Sequence, residues 1–124
     1  MGCDIHSVVE FKNGDWWDDL GEISIGRWYS LFANMAGVRN YNNNLVPVAE
    51  PRGFPKDASF ESKYKYENWG SDAHTPSWLT LDEFRLAYKN SDGYRDPVLD
   101  AIISAMETLE SNGHNTRIVF WFDN

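Results

Sequence analysis

An α+β fold is predicted, on three observations. The chain opens with a stretch that alternates in side-chain character at a period of two, Cys3 to Lys12. It closes on Thr116 to Asp123 (TRIVFWFD), apolar at most positions. Between them lie segments with helix-start signals followed by apolar residues spaced three and four apart. Terminal strands with helices between them predict one sheet, mixed or antiparallel, that includes both ends of the chain, with three to four helices and long loops. At 124 residues the expectation is a single domain, 1–124.

In the first strand Cys3, Ile5, Ser7, Val9 and Phe11 share one face, and Asp4, His6, Val8 and Glu10 the other. Asn13-Gly14 predicts a two-residue hairpin turn, so that Asp15-Trp16-Trp17 begins a returning strand, with Ile23 and Ile25 suggesting a short strand further on. Tyr29 to Ala36 reads as a short helix stopped by Gly37. Val38 to Ala58, with Asn42-Asn43-Asn44 and three prolines, reads as a long irregular stretch. Ser59 is the expected N-cap of a helix to Asn68, and Trp69 to Leu79 is expected to be irregular. Thr80-Leu81-Asp82-Glu83 is a capping box that opens a helix to about Lys89. Asp96-Pro97 opens another, striped by Leu99, Ile102, Ile103, Met106 and Leu109 and ended by Gly113. His114, just beyond, is expected to be an exposed loop residue. The last strand is apolar on both faces, which predicts a central place in the sheet.

Composition narrows the function classes. A net charge of −8 disfavours sequence-independent nucleic-acid binding, because phosphate backbones are repelled. No apolar run approaches the roughly 18 residues of a membrane span, and Asp4 interrupts the place where a secretory leader would be apolar. The single cysteine, Cys3, fits a reducing cytoplasm. Six Trp, six Tyr and seven Phe suffice both for a core and for a pocket that stacks on a planar ligand.

Asp-x-His is written twice, at Asp4/His6 and at Asp72/His74. On a strand, Asp4 and His6 project from one face about 6.5 to 7 Å apart. If a loop carrying Asp72 and His74 folds over that face, four groups converge. They would hold a divalent metal (Zn²⁺, Mn²⁺ or Fe²⁺) or perform metal-free acid–base work, each histidine oriented by an aspartate. Arg39 and Arg52, in GVRN and EPRGFP, suit phosphate through their planar donor forks, with Asn40 and neighbouring glycines allowing close backbone approach. Trp69, Trp78, Tyr41 and Phe54 are candidates to stack on a base, and Ser77 is a hydroxyl near the histidines. The alternative for all of these is structural: surface ion pairs, turn residues and core aromatics. The histidine spacing does not match a two-histidine phosphoesterase, and no nucleophile elbow, P-loop or dinucleotide fingerprint is present.

The opening MGCDIH, the blocks LFANMAGVRN and PRGFPKDAS, and WGSDAHTPSWLT together resemble a family of small proteins encoded by bacteriophages and prophages. The resemblance reaches to about Thr80 and brings no established activity. It implies an accessory protein in the cytoplasm of an infected bacterial host, with counter-defence as the setting. The expectation is a phosphoesterase, metal-dependent or not, acting on a nucleotide or cyclic-nucleotide signal. The alternatives are a sponge that binds such a ligand without turnover, with homo-oligomerisation favouring it, and an acidic inhibitor of a host protein.

Overall fold

The computed structural model describes residues 2–41, 45–93 and 95–124. The stretch Asn42-Asn43-Asn44 of the long loop lies outside them. The strands are β1 (Asp4–Asn13), β2 (Trp16–Ile25), β3 (His74–Thr80) and β4 (Thr116–Asp123). The helices are α1 (Tyr29–Ala36), α2 (Phe60–Trp69), α3 (Leu81–Asn90) and α4 (Pro97–Ser111). A 3₁₀ turn, Gly70–Asp72, joins α2 to β3. The strands form one antiparallel sheet in the order β2-β1-β4-β3, with the N- and C-terminal strands at its centre. The predicted α+β class and sheet membership are what the structure has.

Helices α1, α3 and α4 cover one face of the sheet. Ile5, Val9, Ile118, Phe120 and Phe122 from the strands meet Leu31, Phe32, Phe84, Leu99 and Met106 from the helices. Each such side chain, fully buried, contributes about 1.5–3 kcal/mol. The opposite face is covered by α2 and the loop before it, where Phe54 and Tyr66 stack on each other and meet Trp121 edge-on. β4 is therefore buried on both faces, as its apolar sequence predicts.

The hairpin differs from expectation by one residue. Asn13 pairs with Trp16, so the turn is Gly14-Asp15, with Gly14 at φ +63°. The two short strands expected after it are one strand, β2. A bulge makes this continuity possible: Val9 alone on β1 opposes both Leu20 and Gly21, between the pairs Val8–Glu22 and Glu10–Asp19. β3 lies within Trp69 to Leu79, the stretch expected to be irregular, and it contains Pro76. The structure tolerates the proline at a bulge on an edge strand, where its missing N–H costs no ladder bond. His114 is half-buried, with Nδ1 against the Lys12 carbonyl at 2.8 Å.

The caps form as predicted. Ser59 accepts from the Ser62 amide, Asp96 from Val98 and Leu99, and Thr80 and Glu83 exchange both bonds of a capping box. Glu83 also receives Arg52, whose Nη1 and Nη2 donate to its two oxygens at 2.7 Å each. The Arg52 hydrogen bonds pull the Glu83 carboxyl down to about 2. A depressed carboxyl contributes stability that is complete above its unfolded value, about 4.3, and lost as pH falls towards 2. Urea midpoints measured from pH 6 to pH 2.5 will fall for the wild type in the lower part of that window. Glu83→Gln will be less stable at pH 6 by about 1 kcal/mol and will show a shallower acid decline.

Candidate functional site

β1 begins, β4 ends and β3 begins at the same end of the sheet, since Asp4 pairs with Asp123 and His74 with Phe122. This end carries Asp4, His6 and His74, but it does not gather them. His6 stands opposite Trp121 and His74 opposite Phe122. These are consecutive residues on β4, so their side chains, and the histidines paired with them, point to opposite faces. The bulge in β3 is the cause: Thr75, at φ +51°, and Pro76 together oppose Trp121 alone. Continuing the register from Ser77–Phe120 without it would set His74 opposite Asp123, on the face of His6.

Each group has its own partners. Arg27 donates to Asp4 through Nε at 2.6 Å and Nη2 at 3.2 Å, and holds its carboxyl below the ordinary range. His6 is clamped between two carboxylates, Nε2 at 2.5 Å from Asp123 Oδ2 and Nδ1 at 3.3 Å from Glu22 Oε2. Trp69 lies over its ring, centroids 4.3 Å apart. His74 Nε2 meets Asn124 Oδ1 at 3.1 Å, and its Nδ1 meets Thr75 Oγ1 at 3.0 Å. Asp72 is exposed on the 3₁₀ turn and makes no side-chain hydrogen bond or ion pair among the described residues. The expected convergence on one metal does not form. Histidine and carboxylates face one another rather than a common centre, and no group of three or more His, Cys, Asp and Glu suited to a metal occurs among the described residues.

Arg52, Ser77 and Trp78 come together, but on one another. The Arg52 amide donates to Ser77 Oγ at 2.9 Å, Nη1 donates to the Trp78 carbonyl at 2.9 Å, and the guanidinium lies over the Trp78 ring at 4.3 Å. With Glu83 these contacts fasten the long loop to β3 and α3.

Arg39 and Asn40 stand differently. Gly37, at φ +73°, ends α1 with its amide on the Ala33 carbonyl. Arg39 follows at φ +57°, a conformation uncommon outside glycine that concentrates at functional positions. The turn brings its guanidinium over the Tyr29 ring at 5.2 Å, and Nη1 donates to the Tyr41 hydroxyl at 2.8 Å. The two phenol rings meet edge to face, centroids 6.5 Å apart. Together with Ser30, Asn40 and Asp92 they line a cavity of about 430 Å³. Asn40 shapes the rim: Nδ2 donates to the Leu45 carbonyl at 2.6 Å. The Tyr29 hydroxyl accepts from the Cys3 amide at 3.0 Å, which ties the pocket to the start of β1. Burial pushes the Cys3 thiol up, and the Arg39 guanidinium opposes that shift.

Sequence reasoning passed over Tyr29, placed as an ordinary helix residue, and the ion pair of Glu10 with Arg117. Arg117 Nε donates to Glu10 Oε1 at 2.7 Å, and its guanidinium lies 3.8 Å over Trp17. Glu10 Oε2 accepts from the Ser59 amide at 2.8 Å and the Ser62 hydroxyl at 2.6 Å. The signal was there: one arginine inside an otherwise apolar central strand demands a buried carboxylate.

No protein-family model, no curated protein and no solved structure matches this chain. Among the described residues, no helix is long and apolar enough to cross a membrane.

Proposed function

We propose that this protein binds a small anionic ligand with a planar ring, of the nucleotide or cyclic-nucleotide class, in the Tyr29–Arg39–Tyr41 pocket and sequesters it without turnover. The observation that carries the reading is the guanidinium of Arg39 held between two phenols at the wall of a 430 Å³ cavity. That volume suits one nucleotide-sized ligand. The cation supplies a forked donor for phosphate and the phenols supply faces for a base. In the phage setting implied by the resemblance, such a protein would withdraw a host nucleotide signal.

One observation favours a second reading, a metal-free phosphoesterase. Asp123 holds His6 Nε2 at 2.5 Å, the arrangement by which a carboxylate orients a general base. In that reading a substrate group would take the place of Glu22 at Nδ1.

The readings separate in one experiment. The protein is incubated with a mixture of nucleoside monophosphates and cyclic mono- and dinucleotides, ultrafiltered, and heated to release what it retained. Sequestration predicts that one species is depleted from the filtrate and returns intact in about 1:1 proportion. Loss of a nucleotide with appearance of its hydrolysis product, abolished in His6→Ala, supports the enzyme. Complete passage of every species into the filtrate, chemically unchanged, contradicts both.

A further inference from the structure

A second surface lies away from both sites, where the β1–β2 hairpin meets the start of α2. Trp16, the first residue of β2, is 76% exposed, and Phe60, the first residue of α2, is 82% exposed. Both line one groove of about 510 Å³. Tyr64, one helical turn beyond Phe60, is 53% exposed and stacks on it with rings 8° from parallel. Large aromatics usually bury their area; two exposed on one groove, with a third stacked behind Phe60, mark a surface that another molecule covers.

The charges around the groove select the partner. Asp15 and Asp18 line it, and Glu61 is adjacent to Phe60. Asp15 makes no side-chain hydrogen bond or ion pair among the described residues, Asp18 meets only the Asn13 amide, and Glu61 meets Lys65 distantly at 3.8 Å. Lys56 is the cation on the lining, and Asp57 beside it is occupied by Arg117 and Trp17. Aromatic faces with carboxylates at their edges attract guanidinium and ammonium groups, by the ring quadrupole and by charge. A second copy of this chain is the wrong occupant, since each copy has net charge −8 and the same acidic rim.

The geometry points to the Trp16–Phe60 groove, flanked by Tyr64, as a docking surface for an arginine- or lysine-rich segment of a partner protein. This inference is independent of the pocket at Arg39.

The test uses a fluorescein-labelled decapeptide of alternating arginine and glycine, with a glutamate–glycine decapeptide as control, read by fluorescence polarisation. The arginine peptide will bind the wild type, and the glutamate peptide will not. Trp16→Ala combined with Phe60→Ala will weaken binding about tenfold. Asp15→Asn with Asp18→Asn will weaken it severalfold and flatten its salt dependence. Because these residues lie on the surface, circular dichroism will show folded variants, and Phe60→Ser alone serves if the double variant does not fold. In ¹⁵N spectra the Trp16 indole resonance will move with peptide. Equal affinity of wild type and aromatic variant means attraction by net charge alone and overturns the proposal, as does absence of binding. Self-association of the wild type that the aromatic variant abolishes would assign the groove to a second copy and overturn it equally.

Discussion

Glu10→Gln will destabilise the protein by about 3–5 kcal/mol, the cost of removing the buried carboxylate from an ion pair at the sheet centre. Glu10 is fully buried and Arg117 is 6% exposed. Arg117 enters a strand covered on both faces, so little of its guanidinium reaches water. It is held by Glu10, by Asp57 Oδ1 at 3.1 Å and by the Trp17 ring. Glu10 in turn fixes the start of α2 through Ser59 and Ser62. One substitution therefore loosens the sheet centre and the helix that covers it. In a domain of this size the thermal midpoint will fall by about 10–20 °C. Combining Glu10→Gln with Arg117→Met will cost less than Glu10→Gln alone, because the buried guanidinium is removed while the Gln oxygen still accepts from Ser59 and Ser62. Urea unfolding of the two variants checks the order, and a double variant less stable than the single one would contradict it.

Arg39→Ala will weaken nucleotide binding about 100-fold, the worth of a forked, charge-assisted contact to phosphate. The charge is secure, since the Tyr41 hydroxyl raises an already high pKa. Arg39→Lys will recover only part of the loss, because an ammonium keeps the charge but not the fork. Tyr41→Phe will cost severalfold by removing the hydroxyl to which Arg39 Nη1 donates. Calorimetric titration separates these effects from stability, which the Arg39 variants leave near wild type. An affinity unchanged by Arg39→Ala would remove the pocket from consideration.

The parts of the fold legible in the sequence were those governed by local chemistry. Alternation in β1, the two-faced apolar run of β4, and the caps at Ser59, Thr80 and Asp96 each depend on residues close in the chain. What escaped depended on a partner far away. β3 was hidden because Pro76 forbids a regular strand, and the bulge that admits it needs β4 alongside. The same bulge governs the Asp-x-His repeat. Spacing within each pair was readable, but the face on which His74 emerges depends on a one-residue shift in register across two strands. Arg39 and Asn40 were legible as a pair between glycines and a long loop. The phenol of Tyr29 was not, because its place beside them follows from the αL turns at Gly37 and Arg39. Arg52 looked equally suited to phosphate, and its engagement by Glu83 follows from packing α3 against the loop.

The most direct test of the pocket is ¹⁵N- and ¹³C-edited NMR of the protein with the nucleotide it retains. Sequestration at Arg39 predicts intermolecular Overhauser contacts from the base protons to the rings of Tyr29 and Tyr41, with shifts at Ser30 and Ala33. Contacts and shifts confined to His6, Trp69 and Asp123 would place the ligand on the other face of the sheet and contradict the account.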